Sequence, residues 1–289
     1  MDLFLHRNSI KETKEKYNKL SKKLYKVLTI LALAALFITT ILLVLKISND
    51  WPIEVVLAPL VVIIVFGTAI TAIWYTYKKD SFFYNEFTEL LIKIIRLETN
   101  YDIQKNNDKL VCHEKVLETK FANNGEVINV KSSLDFEKDG ITGSLMMVHT
   151  TTAGEHQMDI ITGFIVSLNL PTFLEMQIRT DHNRYSKYRK SKLNKSNDYT
   201  VYYPKNKDDT AIPDYVSKNL EWINTNFDGK FFGIDYQNDK VSFFVSEEKM
   251  EKLPKKFEEE NIEKICNKYI HYLEKSKEFA TIIIEEFKW

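Results

Sequence analysis

Two long apolar runs near the start, Val27 to Ile47 and Val55 to Tyr77, constrain this chain more than anything else in it. Each is about 20 residues long and almost free of charge, the length a helix rising about 1.5 Å per residue needs to cross a hydrocarbon core of about 30 Å. A secretory signal has a shorter apolar stretch close to the first residue and a small-residue cleavage site. Here a mostly polar segment, residues 1–26, precedes the first run, and a second run follows at once. The expectation is a two-helix transmembrane hairpin over residues 27–77, with spans 27–47 and 55–77, carrying a large water-soluble part.

Orientation follows from the basic residues. Arg7, Lys11, Lys14, Lys16, Lys19, Lys22, Lys23 and Lys26 precede the first span and Lys78 and Lys79 follow the second, whereas the turn from Ser48 to Glu54 has no Lys or Arg. Basic flanks stay on the cytoplasmic side, so both termini are expected there, in a cell inner or plasma membrane. The polar residues inside the spans are chiefly threonines, Thr29, Thr39, Thr40, Thr68, Thr71 and Thr76, whose hydroxyls can bond back to the helix backbone. No ionisable residue sits at mid-membrane, which counts against a transporter. Cys112 and Cys266 are the only cysteines and form no CxxC pair, which suits a reducing compartment. With 40 Lys+Arg against 40 Asp+Glu, the chain lacks the basic excess of a nucleic-acid binder.

The flanking segments are periodic. Ile10 to Leu24 is rich in Lys and Glu, with Tyr17, Leu20 and Leu24 at helical spacing, and reads as a cytoplasmic amphipathic helix within residues 1–26. Phe82, Phe83, Phe87, Leu90, Leu91, Ile94 and Ile95 predict a juxtamembrane helix within 78–100 that would pair with the first as a stalk. From residue 101 the pattern alternates, and residues 101–289 are expected to form one cytosolic α+β domain with a mainly antiparallel sheet and C-terminal helices. Strands are read at Glu126–Lys131, Ser133–Glu137, Leu145–His149, Met158–Val166 and Leu174–Arg179, with turns at Asn123-Asn124-Gly125, Asp139-Gly140 and Ala153-Gly154. Gly229–Tyr236 and Val241–Val245 read as a hairpin, Ser246 as the cap of a following helix, Ile262–Leu273 as an amphipathic helix and Phe279–Phe287 as a terminal strand.

This order of features, with His149-Thr-Thr-Thr-Ala-Gly-Glu-His156, Ile161-Thr-Gly-Phe-Ile-Val-Ser-Leu168, Met176-Gln-Ile-Arg-Thr-Asp181 and the segment Phe227 to Leu253, resembles the bacterial domain-of-unknown-function family 3137. The resemblance implies an architecture, a two-span hairpin followed by a sheet-rich cytoplasmic domain, and no catalytic residues. The region after Leu253 departs from the family pattern in being longer and more charged.

Chemistry is sparse. His149, His156 and His182 match no zinc spacing, and Cys112-His113-Glu114 places nucleophile, base and acid on consecutive residues that point different ways. There are only 8 glycines and no phosphate-binding loop. The one concentrated charge signal interleaves Arg184, Lys187, Arg189, Lys190, Lys192 and Lys195 with Tyr185 and Tyr188, a composition suited to anionic lipid or another polyanion and also to a plain solvated loop. The expected role is a membrane-anchored interaction or ligand-binding module without cofactor or metal. Its partners would be the bilayer, another protein or a second copy, with nucleic acid disfavoured. Alternatives are a two-span effector that disrupts the membrane on ligand binding, and a membrane-bound enzyme with a dispersed motif.

Overall fold

The computed structural model describes residues 3–49, 52–106, 109–119, 121, 127–151, 160–172, 174–180, 188–190, 199–205, 212–237, 239–246 and 259–286. It divides into two units, Phe4–Phe87 and a larger one comprising Thr88–Trp289 with Met1–Leu3.

The smaller unit is helical. Helix α1 (Leu3–Asn49) and helix α2 (Ile53–Phe82) are followed by a π-helical turn, Phe83–Phe87. The Tyr17 and Phe82 rings lie 5.4 Å apart and Lys16 meets Glu86 at 2.6 Å, so the polar ends of the two helices pair as the stalk reading expects. The threonine hydroxyls bond back one turn, Thr39 to the Ala35 carbonyl at 2.7 Å and Thr71 to that of Gly67 at 2.8 Å. Among the described residues one helical stretch, Asn8–Val44, is long and apolar enough to cross a bilayer, and its most apolar window is 0% buried. Leu33, Leu36 and Phe37 project outward there, the reverse of a soluble core helix.

The expected single helix over 78–100 is instead interrupted. The π turn inserts an extra residue per turn, and helix α3 (Thr88–Glu98) resumes with Leu90, Leu91, Ile94 and Ile95 buried.

The larger unit is built on one nine-stranded, wholly antiparallel sheet in the order β1-β2-β3-β4-β9-β8-β5-β7-β6. The strands are β1 (Asp102–Lys105), β2 (Val127–Lys138), β3 (Ile141–Thr151), β4 (Ile160–Leu168), β5 (Met176–Arg179), β6 (Tyr188–Lys190), β7 (Thr200–Pro204), β8 (Lys230–Gln237) and β9 (Lys240–Ser246). Helices α4 (Lys109–Glu118), α5 (Asp214–Asn226) and α6 (Glu259–Glu286) complete it. β2 to β4 pair in sequence and β8 and β9 form the expected hairpin, while β1, which the sequence did not mark, adds to β2, and the strand read at Leu174–Arg179 pairs not with β4 but between β8 and β7. The two segments read separately on either side of Lys131 are one strand, β2, with a bulge between Val130 and Ser132. Asp139 and Gly140 both have positive φ, 53° and 78°, so the β2–β3 turn is the two-residue type I′ kind that matches strand twist.

Cross-strand register defines two unlike faces. Leu134, Leu145, Val166, Phe243, Ile234, Ile178 and Val201 are neighbours in one unbroken apolar row. Helices α3, α5 and α6 cover this face. Phe164 meets Tyr269 at 5.1 Å and Tyr272 at 4.4 Å, Phe243 meets Phe279 at 5.4 Å, and Trp222 stacks on Phe279 at 5.4 Å.

The predicted terminal strand over Phe279–Phe287 is corrected: the described part of it is helix, the end of α6. Ile262, Cys266, Tyr269, Leu273, Ser276, Ala280 and Ile283 are all buried at alternating spacings of four and three. That period carries the β-branched run Thr281–Ile284 into the helix, because packing outweighs its weak local strand preference. The turns at Asn123-Asn124-Gly125 and Ala153-Gly154 and the helix start after Ser246 lie outside the described residues.

Candidate functional site

The opposite face of the sheet carries a polar row beside the apolar Met146, Ile165 and Phe244. One residue along from the apolar row, register places Gln104, Asp135, Ser144, Ser167, Ser242, Asp235, Gln177 and Tyr202 side by side across eight strands. From Ser144 to Tyr202 every member is buried. Burying polar groups is costly unless they find partners, and the row supplies several. Ser167 Oγ lies 2.9 Å from Ser242 Oγ, and Gln237 Nε2 donates to Asp235 Oδ2 at 2.7 Å.

Helix α4 lies on this face and is held by polar bonds. Lys115 Nζ reaches Asp135 Oδ1 at 2.9 Å, Gln237 Nε2 donates to the Glu118 carbonyl at 3.0 Å, and Gln177 Nε2 donates to the Thr119 carbonyl at 3.2 Å. The last carbonyls of a helix have no partner within it; here two sheet glutamines supply donors. Its apolar packing comes from buried Cys112 and Val116 and, just beyond the helix, from Phe121, which meets Phe244 at 6.0 Å.

Beside α4 the polar row opens into a cleft of about 360 Å³, lined by Asp102, Gln104, Lys115, Asp135, Phe136, Glu137, Thr142, Gly143, Ser144, Asn169 and Lys240. Asp135 is already satisfied by Lys115 and by Asn106 Nδ2 at 3.4 Å. Asn169 Nδ2 donates to Thr142 Oγ1 at 2.9 Å, fixing both on the floor. Lys240 reaches Glu118 only at 3.5 Å, and Asp102 is 3.6 Å from Arg96. Most of the lining is polar and both signs of charge are present, which suits recognition of a small polar molecule.

Groups with displaced proton affinity sit elsewhere. Burial pushes the Tyr236 and Tyr101 hydroxyls well above their usual value, with Glu274 adding to the rise at Tyr101. Burial also takes the Cys266 thiol up to about 12. Asn219 Nδ2 donates to the Tyr236 hydroxyl at 3.3 Å, and the Tyr101 hydroxyl donates to the Leu273 carbonyl at 3.0 Å. All belong to the apolar side of the fold.

Of the residues singled out in the sequence, Arg184, Tyr185, Lys187, Lys192 and Lys195 lie outside the described residues, as do His156 and His182. Tyr188, Arg189 and Lys190 form β6, the outermost strand, paired with β7. Charged residues on an edge strand deter pairing with another sheet, a purely structural use for this composition. His149 Nδ1 lies 2.7 Å from Thr162 Oγ1, tying β3 to β4. Among the described residues no group of three His, Cys, Asp or Glu is placed to hold a metal ion. Cys112 is buried in α4 and does not face a shared site with Glu114, which is exposed. The cleft residues went unnoticed in the sequence, since Asp135, Ser144 and Lys240 look like the solvent side of ordinary strands.

No protein-family model, curated protein or solved structure matches this chain.

Proposed function

We propose that the chain is a membrane-anchored binding protein: α1 and α2 cross the bilayer as a hairpin, both termini are cytoplasmic, and the sheet unit binds a ligand or partner at the cytoplasmic face. The observation that carries the anchor is the apolar stretch of α1, none of whose most apolar window is buried, a surface suited to a hydrocarbon solvent. The equally apolar sequence of α2 and the lack of Lys and Arg between the two helices support the second crossing and its direction. Binding rather than catalysis is favoured by the cleft, whose wall and floor are tied by the Lys115–Asp135 ion pair and the Asn169–Thr142 hydrogen bond.

The topology test uses introduced cysteines. Both native thiols are buried, so labelling by a membrane-impermeant maleimide reports the new ones. In intact cells Ser48→Cys should label and Asp228→Cys should label only after permeabilisation. The opposite pattern reverses the orientation, and protection of both or exposure of both removes the two-span hairpin.

A further inference from the structure

Taking the sheet unit as the binding module proposed above, the geometry points to a ligand class: we infer that the cleft beside α4 takes a small zwitterion, with a cationic amine at the β1–β2 end and an anionic group at the β9 end. The inference comes from which charges the protein leaves over. Lys115 and Asp135 neutralise one another at 2.9 Å and form the wall. Glu137, exposed on β2, makes no ion pair among the described residues, and beside it Asp102 is held only loosely by Arg96 at 3.6 Å. That end is anionic. At the other end the Lys240 side chain is 24% exposed and its nearest described carboxylate, Glu118, is 3.5 Å away and largely in solvent. A half-buried ammonium with so weak a partner gains from an anion that enters the cleft.

Spacing sets the ligand's length. β2 and β9 are separated by β3 and β4, three strand intervals of about 4.8 Å or roughly 14 Å between axes. Glu137 and Lys240 both line the cleft and their side chains are each several ångströms long, which suits a molecule whose two charges are several bonds apart rather than an α-amino acid's own ammonium and carboxylate. Between the ends the floor offers the Thr142 hydroxyl and the Asn169 amide, which are bonded to each other and carry no charge.

The experiment is a calorimetric titration of the full chain in detergent micelles with 6-aminohexanoate, hexanoate and hexylamine. 6-Aminohexanoate should bind saturably, with each single-charge analogue at least tenfold weaker. Glu137→Gln should weaken 6-aminohexanoate and hexylamine and leave hexanoate unchanged; Lys240→Met should weaken 6-aminohexanoate and hexanoate and leave hexylamine unchanged. Both side chains are at the surface or half exposed, and unchanged melting of the variants separates lost binding from lost folding. No saturable binding of 6-aminohexanoate at millimolar concentration, equal binding of all three probes, or variants that bind like the parent chain would overturn the assignment. The micelle titration does not depend on which way the chain crosses a membrane, so its failure and a reversed topology are separate results.

Discussion

Gln177, on β5 near one edge of the sheet, donates its side-chain amide to the main-chain carbonyl of Thr119 at 3.2 Å, fastening the end of α4 over a buried polar row. Gln177 is fully buried, so its loss leaves the Thr119 carbonyl without that donor in a dry setting. Gln177→Leu should lower stability by about 1–3 kcal/mol, the cost of a buried unsatisfied polar group. Amide exchange should show the increase in opening concentrated in α4, while α6 keeps its protection. Uniform loss of protection would mean that Gln177 supports the sheet itself.

Gly163 in β4 has no room for a side chain. A β-carbon there would lie 2.6 Å from the Phe244 ring and closer still to the Val245 carbonyl, on the strand that β4 must pair with. Gly163→Ala should destabilise by about 1–3 kcal/mol through overpacking. A melting temperature like that of the parent chain would show that β4 and β9 pair less closely.

The acid side of the stability profile has a small contributor at the β2–β3 turn. Lys277 of α6 bonds Asp139 and holds its carboxyl below the usual value of 3.8. A depressed folded value means that the contribution is fully present above the unfolded value and disappears as pH falls through the folded one. The pair is exposed, so the effect is small. Asp139→Asn should be slightly less stable than the parent chain at neutral pH, with the deficit closing as pH falls below 3.8; a deficit that is the same at every pH counts against the pair.

The alkaline side has the opposite sign. Cys266 keeps its thiol neutral because burial raises it from 9.0 to about 12, so its contribution is complete below 9.0 and is lost as pH rises toward the folded value. Cys266→Ala leaves a small cavity at every pH, but its stability should decline less steeply above pH 9.0 than that of the parent chain. In the folded protein neither native thiol should react with a maleimide at neutral pH, since both are buried. Rapid labelling before unfolding would contradict the packing of α4 or α6.

The basic segment permits a separate measurement. If it rests on anionic lipid, replacing Arg184, Lys187, Arg189 and Lys190 with glutamine should weaken binding of a Phe82–Trp289 fragment to phosphatidylserine vesicles by well over tenfold, with attraction fading as salt rises. Binding that is absent in low salt even for the unmodified fragment returns the segment to a charged sheet edge.

Local pattern made some elements legible and left others hidden. Alternation marked β2, β3, β4, β8 and β9, and the four-three spacing from Ile262 to Leu273 marked the start of α6, because both signals repeat over enough residues to stand out. Helix α5 carried a similar signal in Val216, Leu220 and Ile223, with Asp214 in its first turn, and was passed over. Helix α4 is short and buries little beyond Cys112 and Val116, while β1, β6 and β7 have only three to five residues each, too few for a period to emerge. The cleft was hidden for a different reason. Ser144, Ser167, Ser242 and Asp235 each look like an outward-facing position of their own strand, and only cross-strand register, set by distant parts of the chain, lines them up under a helix.

The neighbour of β4 in the sheet is β9, although β4 ends at Leu168 and β9 begins at Lys240. During synthesis at about 5–20 residues per second, the intervening stretch takes roughly 4–14 s to appear. Through that interval β1 to β4 can already have zipped together while the outer rim of β4, carrying Phe164, Ile165 and Val166, has nothing beside it. An open apolar rim is the part of a half-made sheet that sticks to other chains. The nascent protein is therefore most vulnerable between the emergence of Leu168 and that of Ser246, and a stalled ribosome in that window would leave behind an aggregating species rather than a shorter working one.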